Sequence, residues 1–125
     1  MTKVLIVDDD RDIVEAIGIL LKKFGYETDA AFNRKDGEKK VQEFNPDLLI
    51  LDVMMEEPDD GIVLARNLRA KGFDKPIIML TSLGKVTGYD YNKDDNLIPV
   101  DVFHEKPISP DELISTVKKL LLGRW

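Results

Sequence analysis

The chain has no cysteine and a single histidine, His104, in 125 residues. The first absence removes disulfides and thiol chemistry, and the second means that a zinc site cannot be built from histidine. Long hydrophobic runs are also missing. The N-terminal apolar run, Val4 to Val7, has four residues and leads straight into Asp8-Asp9-Asp10. Neither a secretory h-region nor a transmembrane helix can be placed on it, and a cytoplasmic protein is expected. Positive charge is in the minority, with 18 Lys and Arg against 24 Asp and Glu for a net charge of −6. That balance disfavours DNA or anionic lipid as partners of this domain and favours cations. What remains, 43% hydrophobic and 34% charged, suits a globular protein. A chain of this length fits one domain over residues 1–125 that buries about two thirds of its extended surface.

The most informative stretch is Leu48-Leu49-Ile50-Leu51-Asp52. Four aliphatic residues without polar alternation read as a strand buried on both faces, the pattern of a parallel sheet. In an open α/β sheet the carboxyl ends of the strands border the ligand crevice, so Asp52 stands where chemistry is done. Lys3 to Val7 repeats the pattern and ends in Asp8-Asp9. Ile77 to Leu80 repeats it again and ends in Thr81-Ser82. Tyr26 to Phe32 is short and mixed, as an edge strand is, and Val100 to His104 reads as the last strand, followed by Lys106-Pro107.

Helical periods lie between the strands. Ile13, Ala16, Ile17, Leu20, Leu21 and Phe24 form one stripe, with Gly25 as the residue that ends the helix. Asn33 caps a second helix that runs to about Phe44, with Gly37 inside it at a cost in stability and Pro46 beyond it. Leu64, Ala65 and Leu68 mark a third, ending near Gly72. Ser109-Pro110-Asp111-Glu112 starts the last, whose buried face is Leu113, Ile114, Val117, Leu120 and Leu121. Gly84 to Pro99 lacks an apolar stripe, so a fourth helix there is expected to be weak or irregular. Five strands alternating with helices predict a doubly wound five-stranded parallel sheet of order 2-1-3-4-5, flavodoxin-like, with strands 1, 3 and 4 interior.

At one edge this arrangement gathers Asp8, Asp9, Asp52, Thr81 and Lys106. Two carboxylates about 4 Å apart repel by roughly 4 kcal/mol at an effective dielectric of 20, so three require a counterion. Oxygen ligands without sulfur or imidazole point to Mg2+. A carboxylate nucleophile, a divalent cation, an ammonium and a hydroxyl form a phosphoryl-transfer set: Asp52 attacks in line while the cationic groups and Thr81 hold the equatorial oxygens.

On these residues the sequence resembles the receiver domain of two-component response regulators, the single-domain, chemotaxis-regulator-like kind, over the whole chain. The resemblance implies that Asp52 is the phosphoacceptor and that Asp8, Asp9, Asp52 and the carbonyl of Met54 hold Mg2+. It implies that Thr81 and Lys106 bind the phosphoryl oxygens and that Thr81 and Phe103 are the switch pair, with Phe103 turning inward when Thr81 is drawn to the phosphoryl group. It implies a cis Lys106-Pro107 bond. The partners implied are a histidine kinase or phosphotransfer protein and a downstream protein, with no nucleic acid or membrane, in a monomer or weak dimer. The chain departs from the family's usual pattern in carrying Glu56 where a proline is common, in a loop one residue longer, and in the wide spacing between Thr81 and Lys106. Met54 and Leu83 stand where some receivers carry polar residues that position hydrolytic water, which predicts slow self-dephosphorylation.

Plainer readings apply elsewhere. Asp10 and Asp12 are a helix cap and a first-turn acid, Glu56 to Asp60 a solvated loop, and His104 a packed or solvent-facing strand residue. Trp125 has no assigned role. The spacing of Gly88 to Asp95 matches no EF-hand loop. Two other functions remain open: a receiver-fold binding module that works without phosphorylation, and a haloacid-dehalogenase-type phosphatase with Asp8 as nucleophile and Asp10 as acid/base. The receiver reading makes the chain a signalling switch rather than an enzyme.

Overall fold

A computed structural model describes residues 2–81, 100–106 and 108–123. Its elements run β1 (Lys3–Val7), α1 (Arg11–Lys23), β2 (Glu27–Ala31), α2 (Arg34–Phe44), β3 (Leu48–Asp52), α3 (Asp60–Ala70), β4 (Ile77–Thr81), β5 (Val102–Glu105) and α4 (Pro110–Leu121). All neighbouring strands pair in parallel, in the order β2-β1-β3-β4-β5. The predicted topology is therefore the observed one. β1, β3 and β4 are interior because aliphatic side chains fill both of their faces, whereas β2 and β5 are only partly buried.

Side chains alternate across a strand, and the core accordingly splits into two layers. Val4, Ile6, Leu48, Ile50, Ile78, Leu80 and Val102 pack against α1 and α4. Leu5, Val7, Leu49, Leu51, Ile77 and Met79 pack on the other face with residues of α2 and α3. Even-numbered strand positions thus meet the first layer in β1, β3, β4 and β5.

Local chemistry accounts for the helix limits. Asp10 caps α1 by accepting from the amides of Asp12 (3.0 Å) and Ile13 (3.3 Å), as read for this residue. Asn33 accepts from Asp36 N at 2.8 Å and Ser109 from Glu112 N at 3.1 Å. Gly25 follows α1 with φ 88°, a conformation that glycine adopts without a Cβ penalty. Asn45, at φ 53°, ends α2 before Pro46.

Three expectations need correction. The buried stripe of α1 is Val14, Ile17 and Leu21, while Ala16 and Phe24 are exposed; the helix is rotated so that Ala16 lines the crevice at the sheet edge. β5 begins at Val102 rather than Val100. Just before it, Asp101 donates its N–H to Ile77 O (3.0 Å), and its carboxylate accepts from Ile77 N (2.8 Å), a backbone donor thereby taken by a side chain, and from Arg69 (3.1 Å). Gly37 is buried rather than a simple weak point. A Cβ there would lie 3.0 Å from Val7 Cγ1 and 3.1 Å from Leu64 Cδ2, so its absence lets α2 approach β1 and α3. The segment Gly84 to Pro99, Leu83, the Lys106-Pro107 bond and Trp125 lie outside the described residues.

Candidate functional site

The alternation that splits the core also builds the site. The strand ladder continues one residue past β1, where Asp8 N donates to Ala31 O at 3.2 Å, and past β5, where Lys106 N donates to Thr81 O at 2.8 Å. Asp8, Asp52 and Lys106 are therefore each the next even position after Ile6, Ile50 and His104. All three reach the α1–α4 side of the sheet at the carboxyl ends of their strands. Thr81 and Phe103 are odd positions and belong to the opposite side, where Phe103 is half-buried against the layer that contains Met79.

The Lys106 ammonium lies 2.7 Å from Asp8 Oδ2 and 3.2 Å from Asp52 Oδ1. Asp8 uses its other oxygen to accept from Asp10 N at 2.9 Å. Asp8 and Asp52 are buried, with Asp9 exposed beside them. The three aspartates can each offer one carboxylate oxygen within 4.8 Å of the others, the one group of this kind among the described residues. Burial, and then the charge of Asp8, push the Asp52 carboxyl up to about 6, although Lys106 works against both. Burial pulls the Lys106 ammonium down, but its bond to Asp8 and the charges of Asp52 and Asp8 outweigh that and leave it above its ordinary value. Among the described residues, one ammonium faces three carboxylates, which leaves an anionic oxygen cage, the donor set that suits a hard divalent cation.

A cavity of about 670 Å³ opens over this cage and is lined by Asp8, Asp9, Asp52, Met54 and Lys106 together with Ile13, Ala16 and Ile108. The site is thus polar at its floor and apolar on the α1 and β5–α4 walls. Thr81 is buried at the end of β4, one position beyond Leu80, the residue in register with Asp52.

Sequence reasoning missed Asp60. By sequence it belongs to a solvated acidic loop, yet it is buried, with Oδ1 accepting from Arg34 Nε at 3.0 Å and Oδ2 from Glu57 N at 2.8 Å. The signal available was Asp60-Gly61 at a helix start. A Cβ on Gly61 would overlap the Asp52 carbonyl oxygen and come within 2.9 Å of Val53 Cα, so the start of α3 rests directly on the Asp52 peptide. His104 proves to be a packed residue, with Nε2 2.9 Å from Thr116 Oγ1 on α4. No helix among the described residues is long and apolar enough to cross a membrane.

Residues 4–118 match the family model of the response regulator receiver domain. Among solved structures, the receiver domain of Francisella response regulator 1452 is 32% identical at a TM-score of 0.84, with all of both chains covered. The Vibrio cholerae chemotaxis protein CheY4 is 27% identical at a TM-score of 0.84, over 96% of this chain and 98% of that one. The Thermotoga maritima response regulator TrrA, solved in complex with Mg(2+)-BeF, is 36% identical at a TM-score of 0.80, over 96% of this chain and 99% of that one.

Proposed function

We propose that this chain, which belongs to the response regulator receiver domain family, accepts a phosphoryl group on Asp52 and passes the resulting change of shape to a protein partner. The family works in phosphorelay signalling, as modules that switch rather than as enzymes. The observation that carries the reading for this chain is the Lys106 ammonium held between Asp8 and Asp52 at the edge of the sheet. Asp8, Asp9, Asp52 and the Met54 carbonyl are the groups to hold Mg2+, and their all-oxygen character fits it, as does the Mg(2+)-BeF bound to the similar TrrA. Bound there, the cation supplies positive charge to the phosphoryl oxygens.

The chain's own groups do the rest. Asp52 presents a carboxylate oxygen to the phosphorus of a phosphohistidine; the new O–P bond forms as the P–N bond breaks, and the leaving imidazole takes up a proton. Lys106 is within reach of both Asp8 and Asp52, so it can follow the negative charge as that charge moves from the carboxylate to the phosphoryl oxygens. The Thr81 hydroxyl then donates to one of those oxygens. Its displacement leaves room for Phe103, on the same side of the sheet, to turn inward. Phosphorylation thereby favours one of two pre-existing arrangements, which a downstream protein reads. The donor is a histidine kinase or phosphotransfer protein, and Ile13, Ala16 and Ile108 offer it an apolar seat beside Asp52. The domain works in the cytoplasm as a monomer or weak dimer.

Against the phosphatase alternative stands Asp10, whose carboxylate is occupied in capping α1. Intact-mass spectrometry after incubation with Mg2+ and acetyl phosphate tests the reading. Wild type should gain one phosphoryl group, Asp52→Asn should gain none, and Asp8→Asn should gain it only slowly. A wild-type protein that stays unmodified even with candidate kinases would favour the binding module. Acetyl phosphate turnover that survives Asp52→Asn and dies in Asp8→Asn would favour the phosphatase.

A further inference from the structure

We propose that Asp60, tied to Arg34, is a positioning residue that clamps the 53–59 loop and so holds Met54 beside Asp52. Asp60 is the first residue of α3, but its carboxylate does not cap the helix. The N-cap is Asp59, which makes no side-chain cap bond. Asp60 instead turns both oxygens outward from the helix, one to Arg34 Nε of α2 (3.0 Å) and one to the backbone N–H of Glu57 (2.8 Å). Burying a carboxylate to 4% exposure is costly, and a neutral residue would start a helix as well. The charge is therefore placed for what it holds.

What it holds is the Glu57 peptide, the hub of the loop. Glu57 donates its N–H to Asp60, and its carbonyl accepts from Met55 N (3.2 Å) and Asp60 N (3.3 Å). On the other side, Gly61 N donates to Val53 O at 2.8 Å, and Gly61 lies against the Asp52 carbonyl. Met54 is thus gripped from both neighbours, Val53 through Gly61 and Met55 through Glu57. Arg34 anchors the assembly to the first turn of α2, on a different element from any site residue. The consequence for metal affinity rests on the Mg2+ reading above; the clamp itself does not.

Two readouts separate them: isothermal titration with MgCl2, and hydrogen exchange of the backbone amides of residues 53–61. Asp60→Ala should speed exchange at Glu57 and Gly61 and weaken Mg2+ binding at least fivefold. Asp60→Asn keeps a carbonyl oxygen for the Glu57 N–H while Arg34, whose side chain is 43% exposed, turns to water. Like Arg34→Ala it loses the tie to α2 but keeps an acceptor for the Glu57 N–H, so it should fall between wild type and Asp60→Ala in both exchange and affinity. Arg34→Ala, a milder change, should move both readouts in the direction of Asp60→Ala by less. Val117→Ala, in the opposite core layer, lowers stability and should leave both unchanged. Wild-type exchange in a folded Asp60→Ala overturns the proposal, as does an Asn variant as impaired as the Ala variant or an Arg34→Ala protein without effect. If wild type binds no Mg2+, the metal reading fails and the exchange data still decide the clamp.

Discussion

Replacing Asp52 by Asn should make the metal-free protein more stable. The carboxyl titrates at about 6 instead of 3.8 because it is buried and faces Asp8, so its ionised form at neutral pH carries about 3 kcal/mol of unfavourable free energy relative to the unfolded chain. A carboxyl that holds its proton more tightly when folded makes folding lose free energy as pH rises from about 3.8 through about 6. The amide keeps the shape of the side chain without the charge. It gives up the 3.2 Å contact with Lys106, but Lys106 retains Asp8 at 2.7 Å, so no cation is stranded. Allowing for that loss, Asp52→Asn should gain about 1–3 kcal/mol at pH 7.5, or about 3–10 °C in Tm for a domain of this size. Thermal unfolding followed by circular dichroism in EDTA reads it directly. The same pair compared at pH 4, where the folded carboxyl keeps its proton, should differ little. An Asn variant no more stable than wild type at pH 7.5, or equally stabilised at both pH values, would refute the argument from buried charge.

Other perturbations follow from the same geometry. Lys106→Met removes the ammonium that touches the buried Asp8 and Asp52, and should cost about 3–5 kcal/mol in metal-free urea denaturation, with part regained in Mg2+; a cost below about 1 kcal/mol would show that the ion pair is screened. Gly61→Ala forces a methyl group onto the Asp52 peptide and should cost about 3 kcal/mol or more, whereas the exposed Gly25, with nothing near its missing Cβ, should lose less on the same change; equal costs would count against the close approach. With the apolar Met54 at the cavity, in a position where a polar side chain could hold water, the phosphorylated protein should lose its phosphoryl group over minutes or longer in Mg2+. A half-life of seconds, measured by mass spectrometry after removal of donor, would contradict this.

Much of the site could be read without a structure because it is made by strand ends. An aliphatic run followed by Asp, Thr or Lys declares both a buried strand and its open end, and the parallel order then brings Asp8, Asp52, Thr81 and Lys106 to one edge. Capping residues were equally legible, since Asp10, Asn33 and Ser109 act on amides two or three residues away. Asp60 was not legible. Nothing in Glu56-Glu57-Pro58-Asp59-Asp60 distinguishes the one acid whose partner, Arg34, lies 26 residues earlier. The same limit applies to Gly37, whose cost to α2 is visible in the sequence while its close approach to Val7 and Leu64 is not.

By itself, then, the sequence determined the class of sheet, the order of its elements and which groups stand at the strand ends of the candidate site, because hydrophobic periodicity and strand-end chemistry are local properties. Only the tertiary structure decided which face of the sheet each site residue meets and how far apart the charges lie. It also decided that Asp52 resists ionisation while Lys106 remains charged, and which acid of the loop is buried. Those depend on distances between residues remote in the chain, and electrostatic energy depends on distance and burial rather than on sequence order.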